Sequence, residues 1–336
     1  MFEGGLAELH THLGGSVASD ILWSLAHEQG IALPVKDFWE FDALVTVSDP
    51  RGVEGLDELD RIYHWTELIQ SSPYAVERSV YGAIGGAYRS QGITTLELRF
   101  NPMKRNRGGE RDLDQIILAA TRGLDTASLE YPQVSAGLIL MMDRTFDRRL
   151  NEIIVEKAIR WAERGIVGID IAGPRPGLDR YRYAQIEPMV EAAREAGLGI
   201  TIHVGEEGGE VGRSELGEVV ERLRPERIGH GILAAGEPEL ERALRDQGTV
   251  LEICPTSNLL TKALPDEDAV RETVRRFVES GVAFTIATDG PEMMRTHLRE
   301  EFELLRRIGA LDEAELREAN ARGHAAAFGR RARVRA

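Results

Sequence analysis

Histidine and carboxylate side chains end several short apolar runs of this sequence, and both residue types serve as metal ligands and proton-transfer groups. His10 and His12 end the first run, and two imidazoles can reach one ion because side chains two apart on a strand point the same way. His203 ends a later run, with Glu206 three residues on, and Asp289 ends another. Three histidines and one aspartate suit zinc with a further position open to water, so we predict a catalytic metal.

The runs that must position these residues recur along the whole chain. Eight apolar or β-branched runs span residues 6–9, 94–100, 135–141, 167–172, 199–204, 227–229, 250–254 and 283–288. Segments with helical apolar spacing lie between them, at 75–90, 113–129, 150–164, 180–196, 214–223, 237–246 and 266–279. This alternation indicates parallel strands joined by crossover helices. Eight such units can close into a barrel, and an open doubly wound sheet is the alternative.

The predicted architecture is one α/β domain over residues 1–336, a (β/α)8 TIM barrel, because no linker-like or low-complexity stretch divides the chain. His230 ends the sixth run, so four of the eight predicted strands end in histidine or aspartate. Any one of these residues alone is more readily a core histidine or a helix cap. Together they indicate an active site, since barrel active sites lie at the carboxyl ends of the strands.

Composition argues against several other kinds of protein. The net charge of −15 opposes binding to nucleic acid, because neutralising phosphates requires clustered cations. Cys254 is the only cysteine, which rules out an internal disulfide and a multi-cysteine zinc site. No run approaches the roughly 18 apolar residues of a membrane helix. A cleaved leader would remove part of the proposed site at His10, so we expect a cytoplasmic protein. The sequence leaves the oligomeric state open.

Six short motifs stand in a fixed order along the chain. They are LHTHL at 9–13, GIDIAG at 168–173, HVGE at 203–206, RIGHG at 227–231, PTSN at 255–258 and TDGP at 288–291. This ordered set resembles the adenosine deaminase family of the amidohydrolase superfamily, and the resemblance covers nearly the whole chain. It implies hydrolytic removal of the 6-amino group of an adenine nucleoside.

The resemblance also implies a role for each matching residue. One Zn²⁺ per chain would be held by four residues, His10, His12, His203 and Asp289. Glu206 would protonate purine N1 while an activated water attacks C6, and His230 would orient that water and help to deprotonate it. The backbone of Gly173 would contact purine N3, where the missing side chain allows close approach.

Two carboxylates of the family are absent, both at substrate-contacting positions. Adenosine deaminases carry an acid that contacts purine N7 where this chain has Gly290. Glu292 is a candidate substitute for that acid, and the equally good alternative is that Glu292 is an ordinary acidic residue at the start of a helix. Adenosine deaminases also carry an acid that holds the ribose 5′-hydroxyl where this chain has Gly14. We expect Gly14 to leave space for a 5′-extended substrate, while adenosine loses a hydrogen bond worth about 1 kcal/mol.

A branch of this family deaminates 6-aminodeoxyfutalosine, a menaquinone-pathway nucleoside whose 5′ side carries a carboxyphenyl ketone. This nucleoside is the leading specific substrate, and adenosine is the alternative. Arg99 and Arg175 are candidate partners for the carboxylate, although a solvated surface role is the default for an arginine.

Three further interpretations compete with a mononuclear deaminase. Binuclear amidohydrolases of the dihydroorotase or phosphotriesterase kind also begin with H-x-H, but they use a lysine after strand four, which is absent from residues 167–173. Deaminases related to cytidine deaminase need P-C-x-x-C, which one cysteine excludes. A catalytically inactive metal-binding or interaction protein on the same fold is the last alternative, and the presence of Glu206 and His230 argues against it.

Overall fold

Eight parallel strands pair in chain order in the computed structural model, which describes residues 4–47, 56–107, 109, 112–173 and 183–329. The strands are β1 Leu6–His12, β2 Ile93–Phe100, β3 Ser135–Asp143, β4 Ile166–Ala172, β5 Gly199–Val204, β6 Arg227–His230, β7 Val250–Ile253 and β8 Phe284–Ile286. A parallel bridge between Thr11 and Asp289 joins the last strand region to the first. The predicted (β/α)8 TIM barrel is therefore confirmed, and the open doubly wound sheet was wrong.

The helices that follow the strands cover the outside of the barrel. They are α1 Ser19–Glu28, α2 Phe38–Val45, α3 Leu56–Ile69, α4 Pro73–Gln91, α5 Asp114–Glu130, α6 Arg148–Arg160, α7 Tyr183–Glu195, α8 Gly209–Glu218, α9 Pro238–Gln247, α10 Pro255–Leu260, α11 Glu267–Ser280, α12 Pro291–Met294, α13 Leu298–Arg307 and α14 Glu313–Ala326. Side-chain caps fix several starts: Ser72 accepts from Ala75 N, and Asp147 accepts from Leu150 N. The apolar faces of the helices pack on the strands in one large core. None of the described helices is long and apolar enough to cross a membrane.

The predicted ends of some elements were wrong for local reasons. Helix α8 begins at Gly209, five residues before the predicted start at 214. The residue before it, Gly208, has a left-handed backbone conformation with a φ of 94°, which glycine adopts readily. Helix α8 ends at Glu218, and residues Val219–Leu223 form a π-helical turn. Strand β8 stops at Ile286, before the backbone reaches Asp289 with a φ of 67°. The start of the helix predicted at 180–196 lies outside the described residues.

Candidate active site

Three histidine side chains from two strands converge at the carboxyl end of the barrel. Strand β1 supplies His10 and His12, and β5 supplies His203; one ring nitrogen of each lies within 4.8 Å of the others. Nε2 of His12 is 3.0 Å from Nε2 of His203. Nε2 of His10 is buried and has no hydrogen-bond partner within the described structure. Three converging ring nitrogens, one of them buried without a partner, fit a metal ion, and these are the strand-end histidines that the sequence indicated.

Two buried carboxylates contact the Nδ1 atoms of two of these imidazoles. Oε2 of Glu252 is 2.6 Å from Nδ1 of His10, and Oδ2 of Asp170 is 2.9 Å from Nδ1 of His203. Arg99 lies between the two acids, 2.9 Å from Asp170 and 2.8 Å from Glu252. A carboxylate on Nδ1 fixes the orientation and tautomer of a metal-binding histidine, so Nε2 faces the centre of the site.

Burial and neighbouring charge keep His10 and His12 neutral, the form that can bind a metal. Burial lowers the pKa of His10 well below its usual value, and the Arg99 guanidinium lowers it further. Burial and the adjacent His203 lower the pKa of His12 in the same way. Burial alone would raise the pKa of Asp170, but His203 and Arg99 hold it below the usual value, so this acid stays ionised.

Asp289 lies beside the histidine cluster on the strand-eight side. Its Oδ1 is 3.3 Å from Nε2 of His12 and 3.8 Å from Nε2 of His10, and its Oδ2 accepts a 2.7 Å hydrogen bond from Ser257. Asp289 and His230 both adopt a left-handed backbone conformation, with φ of 67° and 61°. Such strained conformations in residues other than glycine concentrate at functional sites.

Glu206 and His230 face each other at the edge of the cluster. Oε2 of Glu206 is 3.5 Å from Nε2 of His230. Burial, with help from the Asp289 charge, raises the pKa of Glu206 to about 7, and burial lowers the pKa of His230 to about 4. Thr261 donates a 3.4 Å hydrogen bond to Glu206, and the Asn258 amide lies 3.0 Å from Nδ1 of His230. Near neutral pH the site therefore holds an acid beside a neutral base.

A cavity opens over this group. Among the residues that line it are His12, His203, Glu206, His230, Asp289 and Gly173. Gly173 has a φ of 122°, which strains any other residue, and a Cβ there would lie 3.0 Å from Oδ1 of Asp143, so a side chain would also be tightly packed. Arg144 donates hydrogen bonds to the carbonyl oxygens of Gly173 and His203, which ties together the ends of β4 and β5.

The prediction that Gly14 leaves space for a substrate needs correction. Gly14 does not leave free space, because a Cβ there would lie 3.0 Å from Cδ1 of Tyr63 and 3.2 Å from Nη2 of Arg105. The Tyr63 hydroxyl also lies 3.4 Å from the position of a Cβ on Gly290. Glu292 faces a second cavity, which Asp20 and Gln91 also line, so the structure does not bring it to the cluster.

Of the two candidate arginines, Arg99 lies among the residues that the structure describes. Arg99 is fully buried in the barrel and bound to two carboxylates, so it supports the histidines instead of facing a substrate. Arg175 lies outside the described residues.

Sequence reasoning missed the residues that support the site from behind. Glu252 and Asp170 are charged residues inside the apolar strands β7 and β4, and that placement was the available signal. Tyr63 and Glu67, which line the cavity from the long first connection, gave no comparable signal, since aromatic and charged residues are common at such spacings in packed or solvated helices.

A parallel eight-stranded barrel with a histidine cluster at the carboxyl ends of its strands is a barrel enzyme with its active site at the usual face. The family model described as adenosine deaminase matches residues 5–335. The chain therefore belongs to the adenosine deaminase family, and it is an aminohydrolase that acts on adenine nucleosides.

Individual relatives are similar over almost the whole chain. An adenosine deaminase of Vibrio vulnificus (strain YJ016) is 29% identical over 309 residues, covering 92% of this chain and 89% of the relative. The crystal structure of an Arabidopsis N6-mAMP deaminase is 23% identical with a TM-score of 0.81, covering 98% and 96%. A cog1816 amidohydrolase from Burkholderia ambifaria, with bound Zn, is 23% identical with a TM-score of 0.79, covering 98% and 88%.

Proposed function

We propose that the chain is a zinc-dependent deaminase that hydrolyses the 6-amino group of a 5′-modified adenine nucleoside. The observation that carries this proposal is the convergence of three imidazole nitrogens within 4.8 Å, beside Glu206 and His230. His10, His12 and His203 would hold one Zn²⁺ together with Asp289. A bound zinc ion lowers the pKa of water to about 7, which makes a nucleophile available at neutral pH.

A second group of possible ligands, His10, His230 and Cys254, fits a metal less well. Burial raises the pKa of the Cys254 thiol well above its usual value, and a thiol must lose its proton to bind zinc. This argues for the three-histidine group as the metal site.

The proton transfers fall to the chain's own residues. Glu206, protonated near pH 7, donates its proton to purine N1, which makes C6 more electrophilic. His230 is neutral at that pH and accepts a proton from the attacking water, and Asn258 holds its ring in place. The hydroxide left by that transfer adds to C6, His230 returns its proton to the amino group, and the C6–N bond breaks to release ammonia. The new hydroxyl on C6 gives its proton back to Glu206, which leaves the 6-oxo product and returns both residues to their starting forms. The backbone of Gly173 lies on the cavity wall, where it would contact purine N3.

The leading specific substrate is 6-aminodeoxyfutalosine, which would place the enzyme in menaquinone biosynthesis in the cytoplasm. This choice is supported by the absence of an acid at Gly14 to hold a 5′-hydroxyl, a hydrogen bond worth about 1 kcal/mol. Adenosine is the second candidate, with a role in purine salvage, and the curated relative from Vibrio vulnificus favours it by its name.

Ammonia release from four nucleosides by protein of known zinc content separates these candidates. The panel is adenosine, 5′-deoxyadenosine, methylthioadenosine and 6-aminodeoxyfutalosine. We expect kcat/KM for 6-aminodeoxyfutalosine to exceed that for adenosine by about 100-fold, equivalent to about 2.7 kcal/mol. A preference for adenosine would refute the 5′ argument and leave the deaminase intact. Two zinc ions per chain would indicate a binuclear enzyme, and one zinc without turnover of any nucleoside would indicate an inactive relative.

A further inference from the structure

Arg105 is a buried cation that the proposed chemistry does not use. It follows β2 and is 1% exposed. Its Nε and Nη1 atoms are buried and have no hydrogen-bond partner in the part of the chain that the structure describes. Two other arginines are buried as deeply, and both have carboxylate neighbours: Arg99 pairs with Asp170 and Glu252, and Arg227 lies 2.7 Å from Glu97.

A buried guanidinium without such a partner is costly, because its charge has lost water and gained no counter-ion. Burial accordingly lowers the pKa of Arg105, and the charge of Glu67 only partly offsets this effect. Within the described residues, no ion pair holds Arg105. A ligand can supply the missing charge, since the guanidinium fork binds carboxylate and phosphate through two parallel hydrogen bonds.

Arg105 lies behind the wall of the active-site cavity. Its Nη2 is 3.2 Å from the position of a Cβ on Gly14, and the Tyr63 ring occupies the adjacent space. Tyr63 lines the cavity, and its ring centroid is 5.9 Å from that of His12. The Tyr63 ring is therefore next to both the guanidinium and the histidine end of the cavity.

We propose that Arg105 binds an anionic group on the 5′ side of the nucleoside, with the Tyr63 ring displaced as the substrate enters. This rests on the proposed deaminase function and specifies its substrate class. The anion is a carboxylate or a phosphate, since both match the guanidinium fork. On this proposal Gly14 is important because it carries no charge, and not because it leaves space. An acid at this position would pair with Arg105, whereas glycine leaves the guanidinium available to a substrate.

The test compares Arg105→Gln and Arg105→Lys with a matched control, Arg107→Gln, which removes the same charge from an exposed side chain two residues away. Four substrates are used: adenosine, neutral methylthioadenosine, 6-aminodeoxyfutalosine with its carboxylate, and adenosine 5′-monophosphate. We expect Arg105→Gln to lower kcat/KM for an anionic substrate by about 10- to 100-fold, the range for a hydrogen bond to a charged group. Adenosine and methylthioadenosine should change less than about threefold, and Arg107→Gln should leave the ratio of anionic to neutral substrates unchanged.

The substrate that responds identifies the anion. A loss confined to 6-aminodeoxyfutalosine indicates a carboxylate site, and a loss confined to adenosine 5′-monophosphate indicates a phosphate site. Equal loss on all four substrates, or no change in the ratio, overturns the proposal. Arg105→Lys keeps the charge without the fork, so it should retain part of the preference.

Binding and stability give readouts that do not depend on turnover. Calorimetry should show that Arg105→Gln binds one of the two anions, inosine 5′-monophosphate or benzoate, more weakly than the wild type does. Binding of neutral inosine should be the same in both proteins. The Tm of Arg105→Gln should equal or exceed that of the wild type, because the substitution removes a buried unpaired charge. A lower Tm with unchanged anion binding would assign Arg105 to the fold. If the wild type deaminates no adenine nucleoside, the proposed function fails, and these binding data still decide the anion site.

Discussion

Replacing Glu206 with glutamine tests the acid on which the proposed chemistry depends. Glutamine keeps the shape of the side chain but has no proton to give to the purine ring, so kcat should fall by about 10²- to 10⁴-fold, the usual contribution of a positioned acid. Zinc content and Tm should remain close to wild type, since Glu206 is not among the proposed ligands. The measurements are ammonia release, metal analysis and thermal unfolding, with Glu210→Gln as control because that acid is exposed at the start of α8.

The role of Glu206 as an acid also predicts the direction in which activity changes with pH. Burial and the Asp289 charge raise the pKa of Glu206 to about 7, and only the protonated form can act as the acid. Activity should therefore be lost as the pH rises through 7, by about tenfold per pH unit once most of the enzyme is deprotonated. On the acid side His230, with a pKa of about 4, remains neutral until the pH falls close to that value.

Thr261→Val moves this profile in a defined direction. The Thr261 hydroxyl donates to Oε1 of Glu206 and so stabilises the carboxylate, which lowers the pKa of Glu206. Removing it should raise that pKa, and the alkaline limb of kcat/KM should shift to higher pH. The reasoning is refuted if Glu206→Gln keeps wild-type activity, or if the alkaline limb persists unchanged in the glutamine variant.

Three other perturbations have expected outcomes. Glu252→Gln should weaken zinc binding about 10- to 100-fold in a chelator titration, since Glu252 orients His10 across a 2.6 Å contact. Removing zinc with a chelator should lower Tm and readdition should restore it, because a ligand bound only to the folded state stabilises that state. Burial raises the pKa of Glu301 from 4.5 to about 7, so its contribution to stability is complete below about 4.5 and is lost as the pH rises to about 7. Thermal unfolding across that window should show a smaller fall in Tm for Glu301→Gln than for the wild type, and parallel curves would contradict the assignment.

The strand-end residues were predictable because each carries a metal-binding side chain and also stands at the end of an apolar run that predicts a strand. Each of His10, His12, His203 and Asp289 follows an apolar run, and parallel strands bring such ends to one face of a barrel. Glu206 and His230 also stood at or just after strand ends, and resemblance to a family supplied their roles; the structure places them 3.5 Å apart beside the cluster. Strand bounds were less accurate where a left-handed residue ends the ladder, as at Asp289, because no sequence period reports that conformation.

The cavity wall was not predictable, because its form depends on contacts between distant segments. The sequence shows that Gly14 and Gly290 lack side chains, but it does not show what fills the space beside them. That space is occupied by Tyr63, which reaches both positions from α3, about fifty residues after one glycine and more than two hundred before the other. An absent side chain is therefore weak evidence for an open pocket.

The buried arginines Arg99 and Arg105 differ in whether the protein itself provides a counter-charge. Arg99 is buried between Asp170 and Glu252, each of which orients one histidine, so its charge is compensated and the network stabilises the metal-binding geometry. Arg105 is as deeply buried, but among the described residues it forms no ion pair, and its Nε and Nη1 have no hydrogen-bond partner there. Since burial penalises both arginines alike, the difference lies in the counter-charge: the fold supplies it for Arg99, and we infer that the substrate supplies it for Arg105.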